Sequence, residues 1–239
     1  MMSKIPSRII FSGADGSGKT TLSKLCLLYF TSKGISTGIH WFRGSHLLAS
    51  FLLRFFRRFK VFNGYCNPYY KICIPNKLKP LWIHIEFWSM IPHVLIRFFL
   101  SKFHRILICD RGLADFIVWI ITTLNAINFL FSIYCGFLLR IAKRDFTIYL
   151  HADLNTLISR TDVSREFLSK ELTIYNVLMR YLAVSSIDTG KCKPIEALVE
   201  TIKCLERNYG LWGKGILYGD VLDRVKGIGG FICLKLRGV

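Results

Sequence analysis

The sequence predicts an α/β fold, a parallel five-stranded sheet with helices on both faces in three layers. Three observations predict it. Short apolar runs at residues 8–12, 38–42, 105–110, 145–151 and 186–188 read as strands, and most are apolar throughout, as strands covered on both faces must be. Stretches with helical spacing separate these runs, the alternation that a parallel sheet requires. The first strand also leads through a glycine-rich loop directly into a helix.

That first unit carries the clearest chemistry. Arg8-Ile9-Ile10-Phe11-Ser12 is a buried strand by composition, and Gly13-Ala14-Asp15-Gly16-Ser17-Gly18-Lys19-Thr20 fits G-x-x-x-x-G-K-[ST]. Leu22, Leu25, Cys26 and Tyr29 then keep a helical spacing. Strand, glycine loop and helix are the context of a P-loop NTPase. Backbone N–H groups from Gly13 to Thr21 point at phosphate oxygens, aided by the helix N-terminus. Lys19 reaches the outer phosphates as a point charge, and the Thr20 hydroxyl serves Mg²⁺. ATP with Mg²⁺ is the cofactor pair this loop implies.

The remaining elements follow in order. Gly34 ends the first helix, and the strand at 38–42 is followed by Arg43, placed to reach an acceptor phosphate. Residues 46–60 read as an amphipathic basic helix. It sets Leu47, Leu48, Phe51, Leu52, Phe55, Phe56 and Phe59 among Arg54, Arg57, Arg58 and Lys60. Its apolar side is expected in the core with the arginines turned to phosphates, the alternative being that the helix lies on an anionic membrane surface with its aromatics at the headgroup boundary. Turns are expected at Asn63-Gly64, Asn67-Pro68 and Pro75-Asn76, then a helix over 81–100 interrupted or kinked at Pro92. The run at 105–110 ends in Asp110. Residues 116–139 carry no charge and are long enough to cross a bilayer. Thr122, Thr123, Asn125, Asn128 and Ser132 interrupt the stretch, which therefore reads as two packed helices with a break at 125–128. Beyond the strand at 145–151, Asp153 caps a helix reaching Arg160, a second runs over 167–183, and Pro194 opens a last one that stops near Gly210. Residues 1–209 thus form one domain. Residues 210–239, with eight glycines and no period, form an appendage.

Composition narrows the class. A length of 239 residues fits one α/β domain, and 52% apolar residues suffice for its core. The net charge is +18, and residues 1–105 hold sixteen Lys and Arg against two acids, Asp15 and Glu86. Such a half suits a polyanionic partner: nucleotide phosphates or an anionic membrane surface, with no specific nucleic-acid interface expected. The eight cysteines include no C-x-x-C pair, and several sit in apolar runs as small hydrophobes. This argues for a reducing compartment and against a zinc site. No secretory signal is visible before the loop, so a cytoplasmic location is expected, peripheral placement at a membrane being the alternative.

Phosphoryl transfer needs positive charge, a metal and an aligned acceptor. Asp110 ends a buried strand at the carboxyl edge of the sheet, where it holds Mg²⁺ as a Walker-B-type acid does or positions the acceptor. Arg111 follows as a phosphate clamp, and Arg160 with Arg165 supplies a mobile lid. Asp15 is unusual inside a phosphate loop, since a carboxylate there costs energy unless it serves the acceptor's sugar. At these residues the chain resembles the thymidylate kinases, closest to divergent archaeal members. The matching segments are Gly13 to Thr20, Asp110-Arg111, Ile148-Tyr149-Leu150-His151-Ala152-Asp153 leading to Arg160 and Arg165, and Ile187-Asp188 before a helix. The resemblance implies that Asp15 meets the acceptor sugar, Arg43 the acceptor phosphate, and the lid arginines the phosphates in transit. It also implies a P-loop kinase domain over 1–209 with an acceptor-side helical region at 44–104, residues 46–60 covering the acceptor pocket, a lid at 160–166, and a homodimer. Gly112 departs from the aromatic or histidine expected there, and Gly44-Ser45 from an acid and proline. Trp82, Phe87 and Trp88 are candidates to stack a base, though such aromatics more often serve the core.

The first functional expectation is therefore ATP-dependent phosphorylation of a nucleoside monophosphate, dTMP to dTDP. The alternatives are a P-loop kinase of a non-nucleotide acceptor at a membrane surface and a P-loop ATPase or regulatory module without an acceptor.

Overall fold

The computed structural model describes residues 6–42 and 44–209. The expectations about Arg43 and about residues 210–239 lie outside the described residues. In chain order the elements are β1 (Arg8–Ser12), α1 (Lys19–Ser32), β2 (Thr37–Trp41), α2 (Leu47–Phe56), β3 (Asn63–Asn67) and α3 (Lys79–Phe103). They continue with β4 (Ile106–Asp110), α4 (Leu113–Leu124), α5 (Ile133–Ala142), β5 (Phe146–His151), α6 (Leu154–Arg160), α7 (Arg165–Leu182), β6 (Ala183–Asp188) and α8 (Pro194–Tyr209). Five strands form one sheet in the order β2–β4–β1–β5–β6, and every pairing is parallel. β1 sits between β4 and β5, so the loop after it opens at the carboxyl edge, where the crevice of a parallel sheet lies.

The sheet divides the core. On one face Leu22, Cys26, Tyr29 and Phe30 of α1 meet Leu198, Ile202 and Leu205 of α8 across Ile9, Phe11 and Ile148. On the other face a larger cluster joins α2, α3, α4, α5 and α7. Every residue of α4 is buried, so the long apolar stretch is core. Its expected break is where the structure has it: Asn125 turns left-handed at φ +50°, and a 3₁₀ turn over Ile127–Phe131 precedes α5. Asp153 caps α6 by accepting from the Thr156 N–H at 3.0 Å.

Four expectations change. α3 is not interrupted at Pro92 and runs from Lys79 to Phe103; the carbonyl that proline leaves unclaimed belongs to Trp88 on the exposed side. The turn-rich region contains the short strand β3, bridged to Ile72 outside the main sheet. Asn67 folds that loop by accepting from the Tyr69 and Tyr70 N–H groups, which brings Cys66 opposite Cys73 and lets them form a disulfide. Five other described cysteines are free, four of them buried, so the expectation of unpaired thiols fails at this pair alone among the described residues. Finally, α2 is shorter than its pattern and buries only Ala49 and Leu53, while Leu47, Leu48, Phe51 and Phe55 face outward. Its apolar residues exceed what one core-facing stripe can hold, and the surplus is at the surface.

Candidate active site

Backbone geometry sets the phosphate loop. Gly13 leaves β1 so close to β5 that a Cβ there would lie 2.1 Å from the Leu150 carbonyl oxygen. Gly18, left-handed at φ +84°, turns the chain into α1. One buried carboxylate anchors the start of the loop. Asp115 accepts from the Ser12 hydroxyl at 2.5 Å, the Gly13 N–H at 3.3 Å, the Gly112 N–H at 2.6 Å and the Tyr175 hydroxyl at 2.8 Å. It thereby ties β1, the loop, the β4–α4 turn and α7 together.

Lys19 is 4% exposed. Its Nζ donates to the Gly13 and Ala14 carbonyls at 2.7 and 2.6 Å and to Ser17 Oγ at 3.3 Å. Burial, followed by the nearby Arg111 charge, pulls its ammonium down to about 8. The Thr20 hydroxyl donates to Asp110 Oδ2 at 2.6 Å, while Asp110 Oδ1 is buried without a hydrogen-bond partner. A hydroxyl beside an unsatisfied carboxylate oxygen suits a hard cation, and Mg²⁺ commonly takes one or two such ligands with the rest from phosphate and water. The residues present fit it.

Arg111 follows β4 in the left-handed region at φ +76°, a conformation costly for a side chain with a Cβ. Its backbone is held from both sides, its N–H donating to the Phe11 carbonyl at 3.0 Å and its carbonyl accepting from Arg97 Nη2 at 2.9 Å. The guanidinium so placed forms an ion pair with Asp15. The Asp15 N–H in turn donates to Glu171 Oε2 at 3.3 Å. Burial and the Asp15 charge push the Glu171 carboxyl up to about 8.

Two clefts meet at this cluster. One, of about 490 Å³, is lined by Gly16, Gly18, Lys19, Thr20 and Thr21, with Arg160, Thr189 and Pro194 on its far side. Arg160 Nη2 donates to the Thr189 carbonyl at 3.1 Å. The other, of about 440 Å³, is lined by Gly44, Ser45, Ser50, Arg54, Tyr69, Tyr70, Trp119 and Glu171. Asp15 and Arg111 line both. The floor of the second cleft is a polar network. The Ser45 hydroxyl donates to Glu86 Oε1 at 2.5 Å, and the Trp119 and Trp82 indoles donate to Ser45 Oγ at 3.3 Å and Glu86 Oε1 at 3.1 Å. Burial raises Glu86 to about 7.

The structure brings Gly13 to Thr21, Asp110, Arg111 and Arg160 around one crevice. Arg165 is exposed at the start of α7 and lines neither cleft. Trp82 and Phe87 are core, the commoner role for such aromatics, while Trp88 faces outward and lines neither cleft. Tyr69 and Trp119 line the second cleft instead, with ring centroids 5.7 Å apart and planes at 32°. Sequence reading missed Asp115, Glu171 and Arg97. Two of them left a signal. Asp115 is a lone acid in the apolar run 113–121, and Glu171 falls on the buried stripe of α7, four residues from both Phe167 and Tyr175.

Glu171 gives a test with a definite sign. Its folded value lies above its ordinary 4.5, so between 4.5 and about 8 the folded protein holds a proton that the unfolded chain has released. Stability falls as pH rises through that window. Glu171→Gln removes the penalty. The melting temperature of the variant, relative to wild type, is expected to rise by several degrees between about pH 5 and pH 8, at roughly 2–4 °C per kcal/mol. A pH-independent difference overturns the assignment.

No protein-family model matches the chain, nor does any curated protein. Among solved structures it is similar to a shikimate kinase from Acinetobacter baumannii in complex with shikimate. That similarity spans 87% of this chain and 96% of the other, at 13% identity and a TM-score of 0.48. The parallel five-stranded sheet, its helices on both faces and the glycine loop between β1 and α1 make this a three-layer P-loop NTPase fold.

Proposed function

We propose that the protein transfers a phosphoryl group from ATP to a nucleoside monophosphate, with dTMP the first candidate. The observation that carries this reading is the junction of two clefts at the Asp15–Arg111 pair, one built on a phosphate loop and the other on aromatics and a cation. In this reading the loop N–H groups and the N-terminus of α1 would hold the phosphates of ATP. Thr20 and Asp110 would hold Mg²⁺, which would neutralise phosphate charge when bound. Lys19 and Arg111 flank the path between the clefts and stabilise charge on the group in transit. Arg160 closes the nucleotide side. The Tyr69–Trp119 pair offers an aromatic face to an acceptor ring, Arg54 meets its phosphate, and Asp15 orients Arg111 and faces the acceptor's sugar.

A panel of nucleoside monophosphates with ATP and Mg²⁺ tests this by ADP release. The expected result is acceptor-dependent release, fastest with dTMP. Release independent of any acceptor overturns transfer in favour of an ATPase. A second reading, transfer to a phosphorylated non-nucleotide acceptor at a membrane, draws support from α2. That helix lines the acceptor cleft with Ser50 and Arg54 while turning Phe51 and Phe55 to the outside. Silence across the panel favours it.

A further inference from the structure

We propose that the outer face of α2 and α3 seats the protein on an anionic lipid bilayer. A helix facing a core on one side ordinarily shows polar residues on the other. α3 does not. Its core stripe, Trp82, Phe87, Met90 and Val94, is matched by an exposed apolar stripe of Leu81, Trp88, Leu95, Ile96, Phe99 and Phe103, with Trp88 64% and Phe99 61% exposed. The helix has 25 residues, so the stripe extends about 35 Å at 1.5 Å per residue. α2 adds Leu47, Leu48, Phe51 and Phe55, with Phe51 65% exposed. A shallow apolar groove lined by Leu47, Leu48, Ile85 and Trp88 joins the two helices into one face. A continuous apolar patch of this extent marks an interaction site.

Charge identifies the occupant. Residues 44–144 contain three acids, Glu86, Asp110 and Asp115, and all are buried. The same residues contain fourteen Lys and Arg, eleven of them exposed. Arg57, Arg58 and Lys60 follow α2, and Lys102 and Arg105 flank the end of α3. A second copy on this face would oppose cations to cations with no exposed acid from the segment to answer them. Anionic headgroups supply the missing charge, and exposed Trp and Phe suit the headgroup boundary. α3 is long and apolar enough to span a bilayer, but its inner stripe is committed to the core, and Arg97 within it is buried and bonded to the Arg111 carbonyl. The helix therefore lies along the surface. Ser50 and Arg54 share α2 with the docking residues, so docking brings the mouth of the acceptor cleft to the bilayer.

The proposal is independent of the kinase reading, because its test reads binding alone. The full chain is sedimented with vesicles of phosphatidylcholine, with and without phosphatidylglycerol, at low and high salt. Binding only to the anionic vesicles, weakened by salt, is expected. Arg57→Gln with Arg58→Gln lowers the partition coefficient about 30-fold, from roughly five-fold per cation near an anionic surface. Phe51→Ser with Trp88→Ser lowers it independently. All four positions are exposed and outside both clefts, so melting temperatures stay near wild type. Equal binding to neutral vesicles overturns the proposal. So does a dimer in solution that binds no vesicle and dissociates in the Phe51/Trp88 variant, since the face then buries a second copy.

Discussion

Lys19→Ala lowers kcat by at least about 10³-fold, while the melting temperature holds or rises slightly. Removing a single preorganised charge from a developing anion typically costs 10²–10³-fold, and a charge on the transferred phosphoryl group reaches 10³–10⁵-fold. The stability half of the expectation comes from burial. Lys19 is 4% exposed, and its ammonium is pulled down to about 8 because burial disfavours the charge. Three hydrogen bonds to the loop partly offset that cost. Deleting the group removes penalty and bonds together, so folding changes little while transfer collapses. Turnover and melting temperature measured on the same preparation check it, and near wild-type turnover ends the phosphate-loop reading.

How much of this was legible in sequence depended on whether the signal was local. The loop was legible because its geometry is: glycines at tight approaches, a lysine and a threonine at fixed offsets, a strand before and a helix after. Asp110-Arg111 was legible because a charged pair ending an apolar strand has few other places to go. The break in 116–139 was legible because Asn125 tolerates a left-handed backbone and its apolar neighbours do not. The second cleft was not legible in this way. It is assembled from Ser45, Arg54, Tyr69, Trp119 and Glu171, which come from α2, the β3 loop, α4 and α7 and share no spacing. Period alone could not tell Tyr69 and Trp119 from Trp82 and Phe87, because a core ring and a pocket ring obey the same pattern. α2 misled for a related reason. Its pattern showed surplus apolar residues correctly but gave no way to know that the core had room only for one narrow stripe.

Asp15→Asn is expected to raise the KM for the acceptor at least 10-fold and to leave that for ATP within about two-fold, at the scale of one charge-assisted hydrogen bond. Asn keeps the shape and an acceptor oxygen, so what is lost is the charge that holds Arg111. Breaking a buried ion pair by removing one partner costs about 3–5 kcal/mol. A smaller loss, about 2 kcal/mol, is expected here because Glu171 can answer. The Asp15 charge is one of the causes that push Glu171 upward, so its removal lets Glu171 ionise at lower pH and take over beside Arg111 and Lys19. That compensation is testable by a double-mutant cycle. Glu171→Gln alone is neutral or stabilising near pH 8, but added to Asp15→Asn it removes the substitute carboxylate. The double variant then loses more stability than the two single variants combined. Additive losses would mean that Glu171 does not take over the charge. A KM change confined to ATP would move Asp15 from the acceptor side of the junction to the nucleotide side.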